Sequence, residues 1–132
     1  MTRHVIDHMS LNVGDYEGAK AFYAKALAPL GFSLVMEVTA EMTGTVASAG
    51  FGTGGKPFLW LTPKGRQTPP QHIAFGADSR AMVDAFHAAA LAAGGTDNGA
   101  PGLRPYYHPT YYGAFVLDPE GHNIEAVCHA AE

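Results

Sequence analysis

Two histidines 64 residues apart, His8 and His72, and a glutamate, Glu125, are the side chains of this sequence best suited to chemistry. Glu125 lies in NIEAVC, a segment that otherwise reads as an apolar strand. A buried carboxylate without a partner is costly, so Glu125 must face water, pair with a cation or bind a metal. Two imidazoles and one carboxylate with open positions suit a divalent transition metal, notably non-haem iron(II). Taken singly, a strand histidine or glutamate is more often an ordinary core or surface group. The two histidines rise above that background because of where the sequence repeats.

Displaced by 64 residues, DHMSLNVGDYEGAKAFYAKALAPLG (7–31) lies over QHIAFGADSRAMVDAFHAAALAAGG (71–95) without a gap. His8 falls on His72, Phe22 on Phe86, Leu27 on Leu91 and Gly31 on Gly95. Such self-similarity marks a duplicated supersecondary unit. Each copy opens with a strand of alternating character; in the first, Val5, Asp7, Met9, Leu11 and Val13 share one face and Ile6, His8, Ser10 and Asn12 the other. Asp15 and Ser79 are suited to N-cap the following helices, whose apolar residues recur at helical spacing up to Gly31 and to Gly94 and Gly95. Strand-like segments follow at 32–39, 43–51 and 57–62, and in the second copy near 96–104, 112–118 and 122–128. The turn-rich run 94–105 reads as a long loop or an interrupted strand.

The order is therefore β-α-β-β-β, twice: an α+β fold in one domain over 1–132, with modules at 1–63 and 71–132 joined by PKGRQTPP. If a pseudo-twofold relates the modules, His8 and His72 can face each other across it. Counting back 64 from Glu125 reaches Leu61, and that strand offers Phe58, Leu59, Trp60 and Thr62 but no carboxylate. The expectation is three protein ligands, not four.

The paired modules, the helix AKAFYAKALAPLGF and above all DPEGHNIE (118–125) resemble the vicinal oxygen chelate superfamily, which includes glyoxalase I, extradiol dioxygenases, fosfomycin resistance proteins and bleomycin-binding proteins. The resemblance implies two βαβββ modules whose curled mixed sheet forms a cup around a divalent metal (Fe, Mn, Ni or Zn), usually in a homodimer. His8, His72 and Glu125 match the family's ligands. Glyoxalase I typically adds a second glutamate from the strand that here carries Leu59 to Thr62, and that glutamate is missing. The extradiol signature is matched in part: His108 stands at its histidine, Asp118-Pro119-Glu120-Gly121 and Glu125 follow on schedule, but Ala114 and Phe115 replace its aliphatic-Tyr pair. No potassium or phosphonate loop of the fosfomycin type is evident.

Four of the six tyrosines lie in LRPYYHPTYYGAF (103–115), with Arg104 and His108. Hydroxyls, an imidazole and a guanidinium can orient and protonate an oxygenated substrate. His108 is the expected acid–base group, and Arg104, Tyr106, Tyr107, Tyr111 and Tyr112 are candidate substrate-binding residues, with aromatic packing or a dimer contact as the plainer alternative. His4 belongs at the rim, His87 on a helix and Cys128 in the core, while Trp60 either floors the cup or, as the plainer reading, fills the core.

The bulk composition excludes several classes. A net charge of −4 with scattered Lys and Arg gives no basic patch for nucleic acid, and no apolar run could span a bilayer. With one cysteine and no secretory leader pattern, the expected setting is the reducing cytoplasm. The leading expectation is a metal-dependent enzyme, of the glyoxalase or dioxygenase type, acting on a small substrate that chelates the metal through neighbouring oxygens. The alternatives are a metal-free binding protein of the bleomycin-resistance kind and a thiol transferase.

Overall fold

The computed structural model describes residues 5–132, so His4 lies outside the described residues. The first module runs β1 (Met9–Asn12), α1 (Tyr16–Ala26), a 3-10 turn (Ala28–Leu30), β2 (Ser33–Val38), the short α2 (Ala40–Thr43), β3 (Ser48–Thr53) and β4 (Lys56–Thr62). The second runs β5 (His72–Gly76), α3 (Arg80–Ala92), β6 (Thr96–Leu103), β7 (Tyr112–Leu117) and β8 (Asn123–Cys128). Each module is a four-stranded mixed sheet, in the orders β1-β4-β3-β2 and β5-β8-β7-β6. The first strand of each is parallel to its neighbour and the other pairings are antiparallel. Among the described residues the two sheets are not closed upon each other, and β1 and β5 each stand at a sheet edge.

Local chemistry explains the boundaries. The Asp15 carboxylate accepts from the Gly18 N–H and the Ser79 hydroxyl from the Met82 N–H, so both helices begin where a side chain satisfies an orphan amide. Gly31, in the left-handed region at φ 84°, closes the 3-10 turn. The strand expected at 43–51 instead starts at Ser48. Thr39 caps the Met42 N–H and opens a single helical turn, which Gly44 at φ 76° terminates. The turn-rich run after Gly94 does pair, as β6, but its register against β7 shifts twice, on either side of Gly99.

One core joins the modules. Leu11, Val13, Phe51, Leu59 and Leu61 from the first sheet and Val116, Ile124, Ala126 and Cys128 from the second meet Phe22, Tyr23, Leu27, Val83 and Phe86 of the helices. The seam has polar fastenings as well. The Tyr23 hydroxyl donates to Asp118 Oδ2 at 2.5 Å, and Asp118 Oδ1 accepts from the Glu120 and His122 N–H groups. The Glu120 carboxylate accepts from the N–H groups of Gly14 and Asp15, in front of α1. Phe32, Phe58 and Phe75 form an aromatic trio with centroids 4.7–6.1 Å apart. Trp60, expected in the core, lies outside it. It occupies the β4 face opposite Leu59 and Leu61, half-buried, with its ring over Gly50. Among the described residues no helix is long and apolar enough to cross a membrane.

Candidate functional site

Glu125 is 1 % exposed, yet both its oxygens have partners. Oε1 is 2.8 Å from His72 Nε2, and Oε2 accepts from the Tyr111 hydroxyl. The strand register explains the first pairing: β5 runs parallel to β8 with His72 opposite Asn123 and Ala74 opposite Glu125, so imidazole and carboxylate meet on a diagonal. The second depends on Gly113, across which the Tyr111 ring and Glu125 approach; a Cβ there would sit 3.2 Å from Tyr111 Cε1 and 3.3 Å from Glu125 Oε2. Burial, then the Glu125 carboxylate, pushes the Tyr111 phenol well above the ordinary tyrosine range. Tyr111 is therefore a hydrogen-bond donor at every physiological pH.

This trio floors an open cavity of about 530 Å³ whose remaining lining is Tyr106, Tyr107 and Phe115. The rings continue outward as edge-to-face contacts, Tyr111 to Tyr107 at 5.0 Å and Tyr107 to Tyr106 at 4.6 Å. Among the described residues the lining includes the Glu125 carboxylate and no Lys or Arg.

The other sequence-derived candidates stand elsewhere. Arg104 lies behind the wall: its guanidinium donates to the carbonyls of Ala100 and Gly102 and packs 5.4 Å over the Phe115 ring. The Tyr112 hydroxyl turns to Asp84 on α3, under the Arg80 guanidinium. His108 neighbours His129 rather than the cavity, and its Nδ1 accepts the Thr110 N–H, so in the neutral ring Nε2 carries the proton. His8 immediately precedes β1 and is half exposed; its Nδ1 is 2.7 Å from Asp7 Oδ1, which the Lys56 ammonium also contacts at 2.7 Å. The hydrogen bonds from Lys56, then from His8, lower the Asp7 carboxyl to about 2.

Sequence reading missed Asp7 and Lys56 because strand alternation would place Asp7 on the face away from His8. Regular strand begins only at Met9, and the rule does not hold before it. Phe115 was noted for what it replaces, not as a wall of the cavity. Its place opposite Glu125 in the β7–β8 register was the available signal.

The residues fit a metal in their chemistry. Two ligands of a tetrahedral zinc-like ion, each about 2.0–2.2 Å from it, are about 3.3–3.6 Å apart, so the His72–Glu125 pair, at 2.8 Å, needs to open by about 0.5–0.8 Å. Within a single chain the set is incomplete: among the described residues no three His, Cys, Asp or Glu side chains gather to hold an ion.

Comparison with other proteins gives the lineage. Residues 5–126 match the family model described as the Glyoxalase/Bleomycin resistance protein/Dioxygenase superfamily. No curated protein matches significantly in sequence. Among solved structures, a glyoxalase/bleomycin resistance protein from Albidiferax ferrireducens T118 superposes with TM-score 0.70 at 26 % identity, covering 95 % of this chain and 98 % of that one. A family enzyme from Burkholderia phytofirmans PsJN gives TM-score 0.69 at 23 % identity, over 95 % and 98 % of the two chains. The E144Q mutant of glyoxalase I from Zea mays gives 0.68 at 24 %, over 92 % of this chain but 46 % of that longer one. The duplicated module, its two mixed sheets and the match across nearly the whole sequence agree, and the chain belongs to the glyoxalase/bleomycin resistance protein/dioxygenase superfamily.

Proposed function

We propose that this protein is a metal-dependent enzyme in which His72 and Glu125 of one chain and His8 of a second copy hold a divalent ion. Its substrate is a small molecule that chelates the ion through two neighbouring oxygens. The observation that carries this reading is the buried Glu125 carboxylate facing an imidazole on the floor of an aromatic cavity. His8 supports it: Nδ1 is committed to Asp7, which leaves the Nε2 lone pair for a ligand. Pairing of two copies is supported by the edge positions of β1 and β5. Beside them an apolar groove of about 200 Å³ is lined by Ile6, Met9, Phe58, Leu59, Ile73 and Phe75, with Val5 and Ile6 exposed.

Bound there, Fe, Mn, Ni or Zn would supply Lewis-acid or dioxygen chemistry. The protein's own part is to orient and protonate. Tyr111 donates a hydrogen bond beside Glu125 and is the proton-bearing group at the cavity floor, and Tyr106 and Tyr107 wall the substrate.

The test is calorimetric titration of chelator-treated protein with Mn, Fe, Ni and Zn. The parent binds one ion per chain, and His8→Ala, His72→Ala and Glu125→Gln each lose most of the affinity. Mixing and re-annealing His8→Ala with Glu125→Gln then restores one site per mixed dimer. Restoration fails if all ligands come from one chain, and unchanged affinity in the single variants defeats the assignment. Light scattering is expected to give a dimer of the 13.9 kDa chain.

One observation favours a second reading. His72 and Tyr111 satisfy Glu125 without any ion, so the cavity is also a stable aromatic receptor. Ligand binding that persists in excess chelator selects that reading.

A further inference from the structure

The rings at the mouth of the cavity are exposed, yet the turn that carries them is closed by its own backbone. Tyr106 and Tyr107 are 75 % and 60 % exposed. The Arg104 N–H donates to the Tyr111 carbonyl at 2.7 Å, the Tyr107 N–H to the Arg104 carbonyl at 2.9 Å, and the Tyr111 N–H to the His108 carbonyl at 3.1 Å. Tyr106, Tyr107 and Tyr111 therefore stand as a folded wall, with successive ring planes at 62°. Phe115 on β7 completes the lining, its ring 6.2 Å from His72. Large rings gathered at one opening, set before any ligand arrives, mark a binding surface whose ordering cost is already met.

The charge of this cavity is one-sided. Glu125 is buried at its floor, and the neutral imidazole of His72 and the phenol of Tyr111 bring it hydrogen bonds but no positive charge. Arg104 stands outside the lining, its guanidinium engaged by the Ala100 and Gly102 carbonyls. That guanidinium packs 5.4 Å over the Phe115 ring, so one ring of the wall already accepts a cation. A phenol that donates to a carboxylate gains electron density, which makes the face of the Tyr111 ring more negative than that of a free tyrosine. An anionic ligand would meet Glu125 with like sign, whereas a cation within about 6 Å of the ring centroids is attracted by rings and carboxylate together.

We propose that the cavity is an aromatic cage for a small organic cation, an alkylated ammonium group seated against the Tyr107 and Tyr111 rings with Glu125 as its buried counter-charge. This deepens the second reading above, of a receptor that needs no ion, and rests on it. Alkylation decides between ammonium groups. A primary ammonium has three N–H donors to satisfy and is strongly hydrated, and the carboxylate it would turn to is already bonded at both oxygens. A quaternary ammonium has no donor to satisfy and offers methyl groups that the rings can cover.

The probe is choline, compared with its neutral isostere in which a quaternary carbon replaces the nitrogen. Each is titrated into the protein in excess chelator and followed by proton NMR. The choline methyl resonance is expected to move upfield and saturate, because ring currents shield protons above an aromatic face, and the isostere to bind about fivefold more weakly or worse. Tyr107→Leu changes an exposed side chain and should weaken choline about three- to tenfold and the isostere less than about twofold, while Tyr107→Phe stays within about twofold of the parent. Glu125→Gln, shown to be folded by its thermal transition, should erase the preference for the charged probe. Equal affinity for the two probes, or choline binding unchanged in Tyr107→Leu, overturns the cage and leaves an uncharged aromatic receptor standing. Binding of neither probe overturns both.

Discussion

Replacing Tyr23 by phenylalanine removes one hydroxyl from the seam between the modules without changing its shape. Tyr23 is fully buried and Asp118 is 6 % exposed, so water cannot replace the lost donor. The two N–H groups on Oδ1 remain, and Oδ2 loses its partner. A hydrogen bond to a charged group contributes about 1.5–3 kcal/mol, and the expected loss is about 2 kcal/mol. For a chain of this length that is a fall of roughly 6–10 °C in Tm. Asp118→Ala additionally orphans the N–H groups of Glu120 and His122 and should cost about 4 kcal/mol. Because the two residues share one network, the double variant should be no worse than Asp118→Ala alone. Urea unfolding followed by Trp60 emission and far-ultraviolet dichroism gives all three values, at one protein concentration and with chelator present, since metal and dimerisation both raise apparent stability. A Tyr23→Phe variant within 0.5 kcal/mol of the parent, or costs that add, would refute this account of the seam.

The same tyrosine sets the alkaline limit. Burial, then the Asp118 charge, raises the Tyr23 phenol well above 10 in the folded chain, so its contribution is complete below about pH 10 and falls as pH rises toward the folded value. Between pH 10 and 11 the parent should lose up to about 1.4 kcal/mol per unit more than Tyr23→Phe, read by urea titration at each pH. Gly52→Ala would drive a Cβ to 1.8 Å from the Lys56 carbonyl oxygen, so β3 and β4 must part, and thermal unfolding should show a loss above about 3 kcal/mol. If turnover of a chelating substrate is found, Tyr111→Phe should lower it about 10²- to 10⁴-fold, whereas His108→Ala, outside the cavity lining, should leave it nearly unchanged. Unaltered turnover in Tyr111→Phe refutes its proton-handling role.

How far the sequence carries depends on whether a feature is periodic or diagonal. The repeat, the caps at Asp15 and Ser79 and the glycine at position 31 are local signals, and each is where alternation and helix chemistry place it. Position 43–51 misled because its β-type residues follow a threonine able to nucleate a helical turn, and tertiary context used that option. The pairing of His72 with Glu125 lies between strands more than fifty residues apart, yet shared parity made it readable. The destination of Tyr112 was not readable, since adjacent tyrosines 111 and 112 point to opposite faces and only the helix behind them decides which reaches the cavity. The place of Trp60, opposite Ser10 as Glu125 is opposite Ala74, likewise needed the register, one residue away from the simple repeat.

Glu120 has a consequence for how a duplicated chain becomes one folding unit. In the register that sets Ser10 against Trp60 and Ala74 against Glu125, the position matching Glu120 is Gly55, and the adjacent Lys56 does a different job. Lys56 ties down the start of its own first strand through Asp7, whereas Glu120 reaches out of its module to hold the amides in front of α1. Those amides are thus satisfied from the other half. Amide hydrogen exchange at Gly14 and Asp15 should therefore report opening of the second module rather than fraying of the helix to which they lead. A chain cut within the 63–70 linker should recover that protection only when both halves are present.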